Sequence, residues 1–245
     1  MKIARSSHIK GIDVSTNSAS VPSDCPLKIS EAGLPEVLQN ETNHEWDLHW
    51  ARQKQSIFGS LCSIYRRQVR SRSVAFYFER YFPRSGTFAE CGSGSSETSS
   101  RVRLYDRRLI AVDYSREALT RAARMPQISE CVLADVRELP FAPNSLDGIW
   151  NLGVMEHFVH DEQIMILKSF REILKPGGKV LLWWPPKWAL DHAILSPFGW
   201  DFPAEPGRVN RAEVRAIMDA AGFHDITVKF LFSDMFTELL VVGSA

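Results

Sequence analysis

From residue 86 onwards, short apolar runs alternate with segments whose apolar residues recur at helical spacing. Strands that are apolar almost throughout are typical of a parallel sheet covered by helices on both faces. Such runs occur at residues 87–91, 108–112, 131–134, 146–152, 179–184, 226–232 and 238–242. The last two lack a long helix between them. We therefore expect an α/β fold whose seven-stranded sheet is mostly parallel, with an antiparallel strand at one edge.

Residues at the segment boundaries support this division. Ser115 predicts the N-cap of a helix that starts near residue 116, and Asn210 with Glu213 resembles a capping box. The sequence Pro176-Gly177-Gly178 follows an amphipathic helix and is expected to close it. Gly222 is expected to end the last helix.

The segments before residue 86 differ in character. Residues 1–44 are rich in Ser, Pro, Asn and charged residues and lack periodicity, which predicts a flexible tail or lid. Residues 45–82 show helical spacing and are expected to form a helical cap. Residues 45–245 as a whole would form the ligand-binding domain. Four arginines between Arg66 and Arg72 predict either a solvated helix face or a patch for an anionic substrate.

Composition narrows the class of protein. The 29 basic and 29 acidic residues give a net charge of zero, which counts against a dedicated nucleic-acid binder. The N-terminus has no apolar core typical of a secretory signal, and residues 180–186 are too short to span a membrane. The four cysteines show no CxxC spacing, so we expect no metal site and a reduced, cytoplasmic protein.

A glycine-rich turn follows the first predicted strand, with Gly92, Ser93 and Gly94 directly after Glu90-Cys91. Glycines there allow a tight turn and a close approach of the backbone to a ligand. A helix is expected next, and its N-terminus would favour a bound carboxylate or phosphate. Ser96 stands where a third glycine is common in such loops.

Two carboxylates follow at the ends of the next strands. Asp113 ends the second strand and is placed to accept hydrogen bonds from ribose hydroxyls. Asp135 follows the third strand and is placed to accept from an adenine amine. Because the carboxyl ends of parallel strands share one edge, the loop and both acids predict a single binding site.

These pieces together resemble the class I S-adenosylmethionine-dependent methyltransferases, in the branch with a Glu-His pair after strand four. The resemblance covers residues 85–184 well and implies a Rossmann-like three-layer sandwich that uses S-adenosylmethionine as cofactor. The matching segments are Glu90-Cys91-Gly92-Ser93-Gly94, Val112-Asp113, Ala134-Asp135, Leu139-Pro140-Phe141, Asp147-Gly148-Ile149, Glu156-His157 and Leu174-Lys175-Pro176-Gly177-Gly178.

The resemblance also implies roles for single residues. The first loop would surround the methionine part of the cofactor, and Asp113 would hold the ribose, with Tyr114 packed on the adenine. Asp135 and the Val136 backbone would bind the adenine edge, and Asn151 would face the methionine end and the acceptor. The expected cofactor-binding residues are Glu90, Gly92, Ser93, Gly94, Asp113, Tyr114, Asp135, Val136 and Asn151.

The acceptor side is less defined by the sequence. Glu156 and His157 are candidate catalytic residues, with His157 either a general base or a structural histidine. Residues 185–210 are expected to form an insertion over the acceptor. Trp184, Trp188 and Trp200 would either cage an apolar or aromatic substrate or pack the insertion in place.

The sequence is compatible with three functions. A small-molecule methyltransferase is favoured. An RNA or protein methyltransferase would use the basic cluster at residues 66–72, and a partner subunit would bind the cofactor without turnover. The oligomeric state is not predicted.

Overall fold

The structure, a computed structural model, describes residues 57–188, 206–231 and 238–245. Its strands form one seven-stranded sheet in the order β3-β2-β1-β4-β5-β7-β6. The strands are β1 (Ser85–Cys91), β2 (Asp106–Asp113), β3 (Glu130–Leu133), β4 (Leu146–Leu152), β5 (Leu174–Trp184), β6 (His224–Leu231) and β7 (Glu238–Ser244). The first five strands pair in parallel, and β7 is antiparallel to both β5 and β6. The antiparallel strand therefore lies one position in from the edge.

Helices cover both faces of the sheet, which gives the expected three layers. The helices are α1 (Ile57–Tyr65), a π-helix (Arg66–Arg70), α2 (Ser71–Tyr81), α3 (Arg116–Ala122), α4 (His160–Ile173) and α5 (Arg211–Ala220). One apolar core joins the sheet to α4 and α5, and a second joins its other face to α2 and α3. In the second core, Phe78 of α2 packs edge-on against Trp150 of β4, with ring centroids 5.0 Å apart.

Three of the predicted boundary signals act as expected, whereas Pro176-Gly177-Gly178 lies within β5, after a helix that already ends at Ile173. The Ser115 side chain accepts a hydrogen bond from the amide of Ala118 and caps α3. Asn210 and Glu213 form the reciprocal capping box of α5. Gly222 follows the end of α5 with a φ of 86°. These short-range features were predictable because they depend only on neighbouring residues.

The prediction of a helix directly after the glycine turn was wrong. The chain makes only a three-residue 3-10 turn there, Glu97–Ser99, which begins after Ser96 in a left-handed conformation. Serine and threonine hydroxyls compete with helical hydrogen bonds, and here two of them point back to β1 instead of lying along a helix. The site consequently lacks the helix N-terminus that we expected to hold an anion.

Several predictions concern residues beyond the described ranges. They are the tail at residues 1–44, the start of the cap before residue 57, residues 189–205 of the insertion, and Trp200. Within the described ranges, no helix combines the length and the apolar character of a membrane span.

Candidate cofactor-binding site

The glycine turn joins the carboxyl ends of β1 and β2. The backbone amides of Gly92 and Ser93 both donate to the carbonyl of Val112, at 2.8 and 2.9 Å. Gly94 has a φ of 52°, a conformation that favours glycine. A Cβ on Gly92 would lie 2.4 Å from Val154 Cγ2, so the turn also packs tightly against the chain that follows β4.

Asp113 is hydrogen-bonded directly to this turn. Its Oδ2 accepts from the amide of Gly94 at 2.8 Å, and its Oδ1 accepts from the amide of Ser115 at 2.8 Å. The side chain is buried at the end of β2, and Tyr114 beside it is half-buried. The two amides hold both carboxylate oxygens at the end of β2, where we expect ribose hydroxyls to bind.

Glu90 lies at the base of the site, fully enclosed by protein. Its Oε1 accepts from the Thr98 hydroxyl at 3.1 Å and its Oε2 from the Ser99 hydroxyl at 2.9 Å. Burial raises the pKa of Glu90 to about 7, although the hydrogen bonds from Ser99 and Thr98 lower it. This carboxyl group therefore titrates near neutral pH.

Asp135 is paired with a residue that the sequence reasoning missed. Arg137 donates to it from Nη2 at 2.6 Å and from Nε at 3.0 Å, and the Arg137 amide donates to Oδ1 at 2.8 Å. The same guanidinium lies 6.0 Å from the Phe158 ring and 4.0 Å from Glu162. Val136, which lies between these two residues in the sequence, is buried. The expected adenine-binding carboxylate is thus held in a fixed orientation.

Asn151 provides a test of whether the site fits a polar ligand. It is fully buried near the carboxyl end of β4, yet neither its amide nitrogen nor its amide oxygen has a hydrogen-bond partner among the described residues. Buried polar groups without partners are rare and costly in folded proteins. A donor and an acceptor presented together suit an amino acid such as the methionine part of S-adenosylmethionine.

The loop after β4 carries the two candidate catalytic residues. Glu156 is buried and His157 is half-buried, both in a 3-10 turn of residues Met155–His157. The Glu156 carbonyl accepts from the amide of Gly207 at 2.8 Å. Gln163, also missed by the sequence reasoning, fixes this loop. Its amide nitrogen lies 2.9 Å from the carbonyl oxygens of Met155, Phe158 and Gly207.

The described tryptophans on the acceptor side occupy different environments. Trp184 is fully buried, and its indole nitrogen donates to the Gly207 carbonyl at 3.1 Å. Trp188 is 53% exposed and packs against Phe230, with ring centroids 4.9 Å apart. Of these two tryptophans, only Trp188 lines a cavity of about 490 Å³.

The basic cluster at residues 66–72 is partly used within the fold. Arg67 pairs with Glu97 at 3.0 Å, and Arg70 pairs with the buried Glu238 at 2.5 Å. Arg72 is exposed. The arginines that pair with carboxylates hold the helical segment against the 3-10 turn Glu97–Ser99 and against β7.

Comparison with known proteins agrees with this geometry. Residues 89–182 match the model of a methyltransferase domain family. A probable S-adenosylmethionine-dependent methyltransferase of Mycobacterium tuberculosis is 27% identical over 161 residues, which is 63% of this chain and 56% of that protein. A similarly named protein of Mycolicibacterium smegmatis is 30% identical over 138 residues, 55% of this chain and 50% of that protein. The chain spans about half the length of these curated relatives.

Solved structures show the same fold. A chain from the complex of the Haloferax volcanii Trm112 methyltransferase activator with a methyltransferase aligns with a TM-score of 0.61. It is 21% identical and covers 83% of this chain and 96% of its own length. Human N-acetylserotonin methyltransferase in complex with its cofactor aligns with a TM-score of 0.56 at 18% identity, covering 72% of this chain and 51% of that one.

The strand order, the carboxylates at the strand ends and the family match agree with one another. The family match and the named relatives imply S-adenosylmethionine as the cofactor. Residues 89–182 match the methyltransferase domain family, and the chain is similar to S-adenosylmethionine-dependent methyltransferases in sequence and in fold.

Proposed function

We propose that the protein transfers the methyl group of S-adenosylmethionine to a small-molecule acceptor that is apolar or aromatic. The observation that carries the proposal is the cavity at the acceptor side of the sheet. It has a volume of about 490 Å³ and is lined by the rings of Tyr77, Trp188 and Phe230. This size and lining are typical of pockets for small molecules.

When bound, the cofactor supplies an electrophilic methyl group on a positively charged sulfur. The chain's own residues then have to hold the cofactor, orient the acceptor and keep water away. We assign the holding role to Glu90, Asp113, Asp135 and Asn151, together with the Gly92–Gly94 turn. We assign removal of an acceptor proton to His157, on the half-buried turn after β4.

The pairing of the arginines favours this function over methylation of RNA. Arg67 and Arg70 are held by carboxylates at 3.0 and 2.5 Å. Such pairs reduce the positive charge that a phosphate backbone requires. The same residues would otherwise form the centre of the basic cluster on which an RNA or protein substrate depends.

The experiment is to incubate the protein with cofactor labelled in the methyl group and a cell extract separated into small molecules, RNA and protein. We expect label in the small-molecule fraction, suppressed by S-adenosylhomocysteine and by Asp113→Asn. Label confined to RNA or protein would contradict the proposal. Binding of cofactor without labelling of any fraction would support a non-catalytic partner subunit instead.

The role of His157 has a separate test. We expect His157→Gln to lower kcat and to remove an acidic limb from the pH profile of kcat, while the Kd for S-adenosylhomocysteine stays unchanged. A parallel variant, His160→Gln, changes an exposed histidine three residues away and serves as the control. Unchanged kcat in both variants would assign His157 a structural role.

A further inference from the structure

We infer that the cavity at the β6–β7 end of the sheet binds the anionic end of an elongated apolar acceptor. This inference rests on the proposed function and specifies its substrate class. The apolar part of the lining comes from α2, from the chain after β5, and from strands β6 and β7. The apolar and aromatic residues are Tyr77, Pro186, Trp188, Val228, Phe230 and Leu239.

The charged groups of the cavity all carry the same sign. Arg211 and Lys229 line it, and no acidic side chain does so within the described ranges. Arg211 is exposed at the start of α5 and has no ion pair with another described residue. Lys229 donates to the Tyr81 hydroxyl at 3.0 Å, which leaves two of its three N–H groups for a ligand. Two cations beside aromatic rings select a ligand that is both apolar and negatively charged.

The sheet topology gives the approximate length of this ligand. Leu239 of β7 pairs with Trp184, the last residue of β5, so the cavity opens at the edge that also carries Asn151 of β4. Strand β7 lies two positions from β4, with β5 between them. Neighbouring strands are about 4.8 Å apart, so the cavity lies roughly 10 Å from β4. An acceptor that fills the cavity and reacts near Asn151 must therefore be extended.

A matched pair of probes separates charge from apolar character. We would measure the binding of 4-phenylbutyrate and of 4-phenylbutanol by calorimetry, with the full chain saturated with S-adenosylhomocysteine. The two probes share the ring and the chain and differ in the carboxylate. We expect the carboxylate to bind at least about tenfold more tightly, as a charge-assisted hydrogen bond to Arg211 or Lys229 would give.

Three variants and one control locate the binding. We expect Arg211→Ala to reduce the preference for 4-phenylbutyrate over the alcohol, and Arg211→Ala combined with Lys229→Ala to abolish it. We expect Trp188→Ala to weaken both probes equally. Arg215→Ala removes an exposed arginine on the same helix that does not line the cavity, and it should change neither affinity. Circular dichroism of each variant establishes that it is folded.

Equal affinities for the two probes, or no binding of either, would overturn the inference. So would a loss of affinity in Arg215→Ala that matches the loss in Arg211→Ala. The same calorimetric series begins with S-adenosylhomocysteine alone, so failure of the cofactor to bind would be recorded separately as a failure of the proposed function.

Discussion

The guanidinium of Arg137 lies across the carboxylate of Asp135, with Nη2 2.6 Å from Oδ2 and Nε 3.0 Å from Oδ1. Such a bidentate pair fixes the plane of the carboxylate, since both oxygens are engaged. Arg137 thereby orients the group that we expect to bind the adenine amine.

Removing this guanidinium should weaken adenine binding. We predict that Arg137→Ala raises the Kd for 5′-methylthioadenosine about fivefold, because a half-exposed ion pair contributes up to about 1 kcal/mol. Arg137→Lys should give a Kd between those of the unchanged protein and Arg137→Ala. A lysine ammonium keeps the positive charge but cannot form the bidentate pair that fixes the carboxylate plane. Calorimetry provides the measurement. Tighter binding by Arg137→Ala would show instead that the arginine obstructs the adenine.

The buried carboxyl group of Glu90 should make stability depend on pH. Its pKa is raised from 4.5 to about 7, so between these values the folded state binds a proton that the unfolded state does not. The free energy of unfolding should therefore fall as the pH rises through this window. Chemical denaturation at several pH values measures the slope, and Glu90→Gln should lack this component. An identical slope in both proteins would refute the prediction.

The same group should couple cofactor binding to proton release. The ammonium and sulfonium groups of the cofactor favour an ionised Glu90, so binding below pH 7 should expel a proton. We expect the affinity for S-adenosylmethionine to increase as the pH approaches 7 and then to level off. Calorimetry at pH 6 in two buffers of different ionisation enthalpy counts the protons. The Glu90→Gln protein, which has no carboxyl group there, should release fewer.

Asn151 should stabilise the complex with the cofactor and destabilise the protein without ligand. Its two amide atoms are buried without described partners, and an unsatisfied buried polar group costs about 1–3 kcal/mol. We predict that Asn151→Leu raises the Tm of the protein without ligand and raises the Kd for S-adenosylhomocysteine at least about tenfold. A lowered Tm together with unchanged affinity would mean that the amide has a structural role.

Gln163 should be essential to the loop that bears Glu156 and His157. Replacing it with leucine would remove the donor that serves the carbonyls of Met155, Phe158 and Gly207. We predict a loss of about 2–4 kcal/mol in the free energy of unfolding, measured by urea denaturation. Lys168→Leu, an exposed change on the same helix, should have an effect near zero. Similar losses in both variants would contradict the role of Gln163.

The sequence predicted the strands well because each is a nearly continuous apolar run. The bounds of β4 match the prediction, and β5 begins five residues earlier than expected because the Lys175–Gly178 turn is continuous with the strand. Asp113 and Asp135 could be placed because strand ends share an edge. The error after the glycine turn arose because Thr98 and Ser99 bond to Glu90, a contact that periodicity cannot reveal.

Contacts between distant segments were also beyond the sequence. Gln163 reaches Gly207 across 44 residues, and Arg70 reaches Glu238 across 168. Neither contact could be predicted from the spacing of the two residues in a single sequence. The Arg137–Asp135 pair differs, since the two residues are close in the chain and carry opposite charges, a signal that the sequence analysis did not use.

Because β7 runs antiparallel to β5, it brings Leu239 to the sheet edge at which we expect the cofactor to bind. The expected cofactor residues and the cavity therefore come from different parts of the chain. The residues that we expect to hold the cofactor lie within residues 90–151, whereas Trp188, Phe230 and Leu239 of the cavity come from the last third of the chain. Mutations in that last third can therefore alter the cavity without changing the residues around the cofactor. Homologues of this chain should diverge in acceptor faster than in cofactor, and exchanging the segment after β5 between them should transfer substrate preference.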